Sequence, residues 1–328
     1  MKLSKKKSVL GFWVSVFSIF VVSLVLFLSL QGVSRASKEE PIRFTQNDSM
    51  ETLRMKIQEM REEIKRNGDT FEVGINSAMQ YPLEELCTLD PNLKPGDSCF
   101  YENNGQEIEG YGVDRVEAST LPSYYIGYYS PVRSGGSCGG VWAFVTTGVL
   151  EGIIKMKTGI TPNLSEQYLI DCNIYGYGCS GGWFCHGMHM APYGARLESC
   201  YPYTGVKGTC KTTCPWVYRI SSWGYVGSSS SVPAVSAIKQ KIYDYGSVAA
   251  AVYADSYFMA YTSGCFSRNA SGSPNHAIIL VGWDDSRCTT GAWRLKNNWG
   301  TGWGESGFMW IKYGVQKVGY AANYVVYP

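Results

Sequence analysis

The sequence is short of net charge and of histidine. Its 328 residues hold 29 Lys and Arg against 27 Asp and Glu, for a formal net charge of +2, and three histidines. A near-neutral balance leaves no electrostatic footprint for nucleic acid. A disordered chain would combine larger net charge with fewer apolar residues than the 45% found here. No internal repeat is present, which argues against a solenoid. Charge is scarcest in the C-terminal part, with 24 charged residues in the 208 positions of residues 121–328, against about 25% in an ordinary soluble domain. Residues 38–70 hold 15 in 33. A solvated helical appendage therefore precedes a large, weakly charged domain rich in Gly, Ser and Tyr.

Eleven cysteines are too few for a small disulfide scaffold and more than a cytosolic domain usually carries. The N-terminus agrees with an oxidising compartment. Lys5, Lys6 and Lys7 precede the uncharged stretch from Val9 to Leu30, long enough as a helix to span a bilayer. The basic side points inward, placing the rest outside. The alternative is a secretory signal peptide cleaved near Ser34-Arg35-Ala36. Residues 1–37 are read as one or the other, with membrane contact through 9–30.

Between Met50 and Lys65, Leu53, Ile57, Met60 and Ile64 fall on one helical stripe, stopped by Asn67-Gly68-Asp69. Thr70 to Asn76 reads as a short strand. Residues 87–120, with Cys87 and Cys99, read as a connecting loop that a local disulfide could close, or as a linker. Helical periods then cover 141–200, and short β-branched and aromatic runs between Gly-rich turns cover 246–328.

Six blocks of the C-terminal part stand in a telling order: Ser137-Cys138-Gly139-Gly140-Val141-Trp142-Ala143-Phe144; Leu164-Ser165-Glu166-Gln167 with Cys172; Cys179-Ser180-Gly181-Gly182; Tyr201-Pro202-Tyr203; Asn275-His276-Ala277; and Lys296-Asn297-Asn298-Trp299-Gly300 through Trp303-Gly304. Together they resemble the papain family of cysteine peptidases over residues 121–328. The resemblance implies an α+β, two-lobed papain-like fold, with a helical left lobe and an antiparallel, β-barrel-like right lobe. Residues 38–120 resemble the family's inhibitory prosegment more weakly. Gly74-Ile75-Asn76 and Leu83-Glu84-Glu85 fit, whereas Ala78 and Gln80 replace a usual aromatic and a usual acidic residue.

A cysteine peptidase needs a thiolate at a helix N-terminus, a histidine to shuttle its proton, a group to orient that histidine, and donors for the oxyanion. The resemblance puts His276 at the histidine position, Asn297 at the orienting amide and Trp299 at the indole covering that pair. The Gly181–Gly182 pair matches the backbone that hydrogen-bonds a bound peptide; the plainer reading is a tight turn beside a disulfide. The nucleophile position holds Val141, and the oxyanion-hole glutamine position holds Gly135. Neither supplies the chemistry, so the expectation is a pseudopeptidase that binds peptide or protein in its cleft. Two alternatives stay open: an endopeptidase using another nucleophile such as Ser137, or a structural protein whose cleft its own prosegment fills. No cofactor or metal is expected.

By resemblance, Cys138 pairs with Cys179 and Cys172 with Cys210. Cys265 and Cys288 flank the His276 strand and could form a further bridge. Proximity in sequence suggests Cys87–Cys99 and Cys185–Cys200, leaving Cys214 odd or exchanging with Cys210. Cys185, His186 and His189 have a metal-like spacing, but zinc would need a fourth ligand and no second pair stands at zinc spacing. They read as a disulfide cysteine with two surface histidines.

Overall fold

A computed structural model describes residues 41–90 and 121–328. The proposed membrane or signal segment lies outside these residues. Among the described residues no helix is long and apolar enough to cross a membrane.

Helix α1 (Met50–Asn67) begins at Ser49, whose hydroxyl accepts from the Thr52 amide, and ends at Gly68, whose left-handed φ of 72° closes the last turn. The apolar stripe Leu53, Ile57, Met60 and Ile64 is buried. The strand expected over Thr70–Asn76 shortens to β1 (Glu72–Val73), which pairs antiparallel with β5 (Tyr261–Ser263). Asn76 then caps a single 3₁₀ turn, Ser77–Gln80, and Pro82 opens the short helix α2 (Leu83–Leu86). Side chains tie the appendage down as well. Glu63 pairs with Arg268 at 2.7 Å and accepts from the Tyr257 hydroxyl, and Ser267 bonds Asp69.

The helical half is built on α3 (Val141–Thr158), buried along most of its length. A helix apolar all round is a core helix, and α3 packs against both α4 (Glu166–Cys172) and the sheet. Gly148 permits the close approach, since a Cβ there would stand 2.5 Å from Ile279. The sheet half follows the path β3 (Ser222–Tyr225), β10 (Tyr320–Val326), β4 (Val248–Val252), β7 (His276–Asp284), β8 (Ala292–Lys296), β9 (Phe308–Lys312), β6 (Cys265–Phe266), with β2 (Tyr124–Ile126) paired to β7. All pairings are antiparallel except β6 with β9. Helices α5 (Val235–Tyr245) and α6 (Ser256–Ala260) flank it. β4 is buried at every position, and so is β7 from His276 to Trp283.

Four disulfides join described residues: Cys138–Cys179, Cys172–Cys210, Cys200–Cys214 and Cys265–Cys288. Two expected pairings are corrected. Cys200 bonds Cys214 rather than Cys185, because the chain between them folds back so that their Cα atoms are 5.8 Å apart. Cys214 is therefore not the odd thiol, and Cys172 keeps Cys210. Cys87 is free, against the expected pairing with Cys99, which itself lies outside the described residues. Its segment is drawn into the protein by other contacts, described below. The histidines expected at the surface are also corrected: His186 and His189, in a 3₁₀ turn, are buried, at 2% and 0% exposure.

Candidate functional site

His276 is the first residue of β7, paired across the sheet with Val252. Asn297 directly follows β8, its amide bonded to the Gly307 carbonyl. Register between β7 and β8 brings the two side chains together, with His276 Nε2 2.8 Å from Asn297 Oδ1. That same oxygen accepts from the Asn298 amide, which fixes the carboxamide. The Trp299 ring lies 4.7 Å from the imidazole, centroid to centroid, and Phe258 closes another side at 6.1 Å. The indole thus lies against the imidazole.

The imidazole is wholly buried. Burial lowers it to about 4, and the bond to Asn297 and the nearby Leu86 carbonyl only partly oppose that fall. Its Nδ1 makes no hydrogen bond of normal geometry among the described residues. The ring is neutral near pH 7, with no anion among the described residues to hold a proton on it.

Val141 is the first residue of α3, after Gly140. Its amide is among those left without an intrahelical acceptor, at the positive end of the helix dipole. The electrostatics that would lower a thiol's pKa are therefore in place, and the residue there is a buried aliphatic. Gly135 lies in the preceding loop, its amide bonded to the Asn298 carbonyl and its carbonyl to the Tyr203 hydroxyl. A Cβ at 135 would stand 3.3 Å from the Cys138 carbonyl and from the Phe144 ring, so a larger residue needs Phe144 to yield slightly. Val141, Gly135, Asn298 and Trp299 line one cavity of about 250 Å³, roofed by Tyr81 and Leu86 from the appendage. Ser134 pairs with Trp299 in an isolated bridge, and Ser137 is exposed; among the described residues neither hydroxyl hydrogen-bonds the imidazole.

Residues 86–90 run through this region. Leu86 presents its carbonyl to His276. Thr88 Oγ1 donates to the Gly139 carbonyl, the Leu89 amide to the Asn275 carbonyl at 3.0 Å and the Asp90 amide to the Gly182 carbonyl at 3.4 Å. Leu89 and Gly182 form a parallel bridge. Gly181 has φ +132°, and a Cβ on it would meet the Thr88 carbonyl at 2.5 Å. Gly181 also closes a small turn with Gly178, so the turn and the strand-like contact coexist at one glycine pair. Little in residues 87–90 foretold this, because the contacts of Leu89 and Asp90 are backbone to backbone and a single threonine hydroxyl makes no side-chain pattern.

A second feature missed by motif reading is the charge cluster behind the loop. Arg133 bonds Glu151 at 2.6 Å and Glu166 at 2.5 Å. Glu151 also accepts from the Leu164 amide and Glu166 from Thr147. Burial raises Glu166, Arg133 pulls against it and Glu151 adds to it. Lys296, bonded to Ser130, is lowered by burial to about 8. The cluster anchors the loop carrying Gly135 to α3 and α4. Its signal in the sequence was the scarcity of charge around it.

A family model described as papain family cysteine protease matches residues 124–328. Ananain from Ananas comosus is 30% identical over 251 residues, covering 74% of this chain and 69% of that protein. Fruit bromelain from the same plant is 33% identical over 259 residues, covering 77% and 70%. Among solved structures, the digestive procathepsin L2 proteinase of Tenebrio molitor larval midgut superposes with a TM-score of 0.72 at 25% identity, covering 93% of this chain and 99% of that one. Fold, motif order and overall similarity converge, and the chain belongs to the papain family of cysteine proteases.

Proposed function

We propose that this protein is a pseudopeptidase: a papain-family fold that has lost peptide hydrolysis and acts by binding peptide or protein in its cleft. The observation that carries the reading is Val141 at the N-terminus of α3, in a fold whose His276 imidazole is kept neutral by burial. Removing the nucleophile of a catalytic triad costs about a million-fold in turnover, and removing an oxyanion donor about a hundred- to a thousand-fold. His276, Asn297 and Trp299 then persist as a packed unit supporting the cleft wall, with Gly181 and Gly182 as its peptide-facing backbone. The four disulfides among described residues support an extracytoplasmic setting, secreted or tethered through residues 9–30.

The purified full chain, incubated with fluorogenic peptide libraries, is expected to show no turnover above blank. Turnover that His276→Ala abolishes would establish an enzyme instead, and a fluorophosphonate or epoxide adduct mapped to one residue would name its nucleophile.

One set of contacts favours a second reading, in which the protein's own segment fills the cleft. Thr88, Leu89 and Asp90 already use the backbone of Gly139, Asn275 and Gly182. With no self-cleavage available, the segment stays unless another protease removes it, and N-terminal sequencing of native material reads that directly. Gly181→Ala puts a Cβ against the Thr88 carbonyl. The expected outcome is faster proteolytic nicking near residues 86–90, at least several-fold, with the sheet half still folded.

A further inference from the structure

Away from the cleft, the short turn His186–His189 packs its two histidines into the core where the helical half meets the sheet. His186 Nε2 lies 2.6 Å from Asn323 Oδ1 on β10. Phe184 stacks on the same ring, and Trp223 of β3 packs against it. Asn323 is spoken for on its other side by the Ala321 carbonyl. His189 is fully buried, and both its ring nitrogens lack a hydrogen-bond partner among the described residues, as does His186 Nδ1. Its backbone carbonyl accepts from the Ile220 amide, which fixes the turn in place.

A buried polar nitrogen without a partner is costly, and a buried charge without one far more so. The charged group acting on the pair is Arg196, a cation that stacks on Tyr168. Among the described residues no carboxylate acts on either ring. Among the described residues the ring and hydrogen-bond neighbours are Asn323 on β10, Trp223 on β3 and Phe184, all neutral, and the two rings act on each other as like charges once protonated.

We propose that His186 and His189 form an acid-released latch between the turn 186–189 and strand β10, closed while both rings are neutral and progressively weakened as falling pH favours the open state, in which both rings take up protons. The closed latch holds β10 against the turn; the open one separates them. Burial holds the two rings at about 4 and about 3 in the folded protein, against an ordinary value near 6.5. Below 6.5 the unfolded or opened state binds more protons, so stability falls as pH drops from about 6.5 toward 4. Two such groups together raise the unfolding equilibrium constant up to about 100-fold for each pH unit in that window.

The test is urea unfolding of the full chain from pH 7.5 to 4.5, compared with His186→Gln/His189→Leu. The variant keeps an amide for Asn323 and leaves nothing to titrate. Wild type should lose stability steeply below pH 6.5, and the variant should lose it with a slope smaller by about two protons. An unchanged slope in a variant folded at pH 7.5 overturns the proposal. Should the variant not fold, imidazole NMR of the wild type decides. Two buried rings that stay neutral at pH 5 in the folded protein support the latch, and midpoints near 6.5 refute it. His276→Gln, measured in parallel, separates the cleft histidine's own contribution.

Discussion

Val141→Cys combined with Gly135→Gln should turn this protein into a peptidase once the segment around residues 86–90 has been clipped out. The starting rate is that of the blank; a working thiolate and an oxyanion donor each restore orders of magnitude, about 10⁶ for a nucleophile and 10²–10³ for a donor, without simple additivity. The helix N-terminus that would stabilise the thiolate is already present at α3. The orienting bond from Asn297 to His276 is already made. The variant should also change the imidazole. A thiolate beside it favours the imidazolium, so His276, now held at about 4, should titrate well above that in the Val141→Cys protein. Hydrolysis of a fluorogenic peptide and an epoxide adduct at position 141 measure the first effect, and imidazole NMR the second. Absence of both, in a folded and clipped double variant, means that the cleft has drifted beyond its two altered side chains. The single Val141→Cys change should react with the epoxide but turn over slowly, because Gly135 still offers no side-chain donor.

The second large effect lies behind the active-site loop. Arg133→Met should cost about 3 kcal/mol or more, because it strands Glu151 and Glu166 without their cation. Their side chains are 0% and 2% exposed, whereas that of Arg133 is 22% exposed; the solvent access of the arginine places the cost toward the lower end. Arg133→Lys should lose less, since it keeps the charge and gives up the two-pronged fork. The sign of the pH effect distinguishes this origin from a packing defect. Without Arg133 the Glu166 carboxyl, already raised by burial, loses the cation that pulls against that rise, so the folded state binds more protons than the unfolded one. The gap between variant and wild type should then shrink as pH falls from 7 to 5. Urea midpoints at the two pH values measure it, and a gap that does not change with pH points to lost packing instead.

Helix α1, the block around α3 and the His276–Asn297–Trp299 set were legible because each rests on short-range pattern. A stripe at helical spacing, a cap followed by an apolar run, and fixed spacings in 137–144 and 296–304 survive without knowledge of the rest of the fold. What was not legible depends on distant chain segments meeting. Leu89 and Asp90 enter the cleft through backbone bonds, which any residues could make. Cys200 meets Cys214 because the chain between them doubles back, where proximity in sequence pointed to Cys185. His186 and His189 looked like surface residues, because nothing in their own segment shows that β10 and β3 cover them. Arg133 stood in the loop with Gly135, and its two carboxylate partners are brought to it only by the packing of α3 and α4.

Val141 has a last consequence, in the protein's resistance to oxidants. A thiolate at the head of a helix is the group peroxide and electrophiles reach first, and its oxidation silences a cysteine enzyme. Here the cleft offers them an isopropyl group. The free cysteine among the described residues, Cys87, is held protonated by burial and by the nearby acids Glu84 and Asp255. The cleft therefore keeps its form through an oxidative burst or a thiol-directed inhibitor that would disable a relative relying on sulfur.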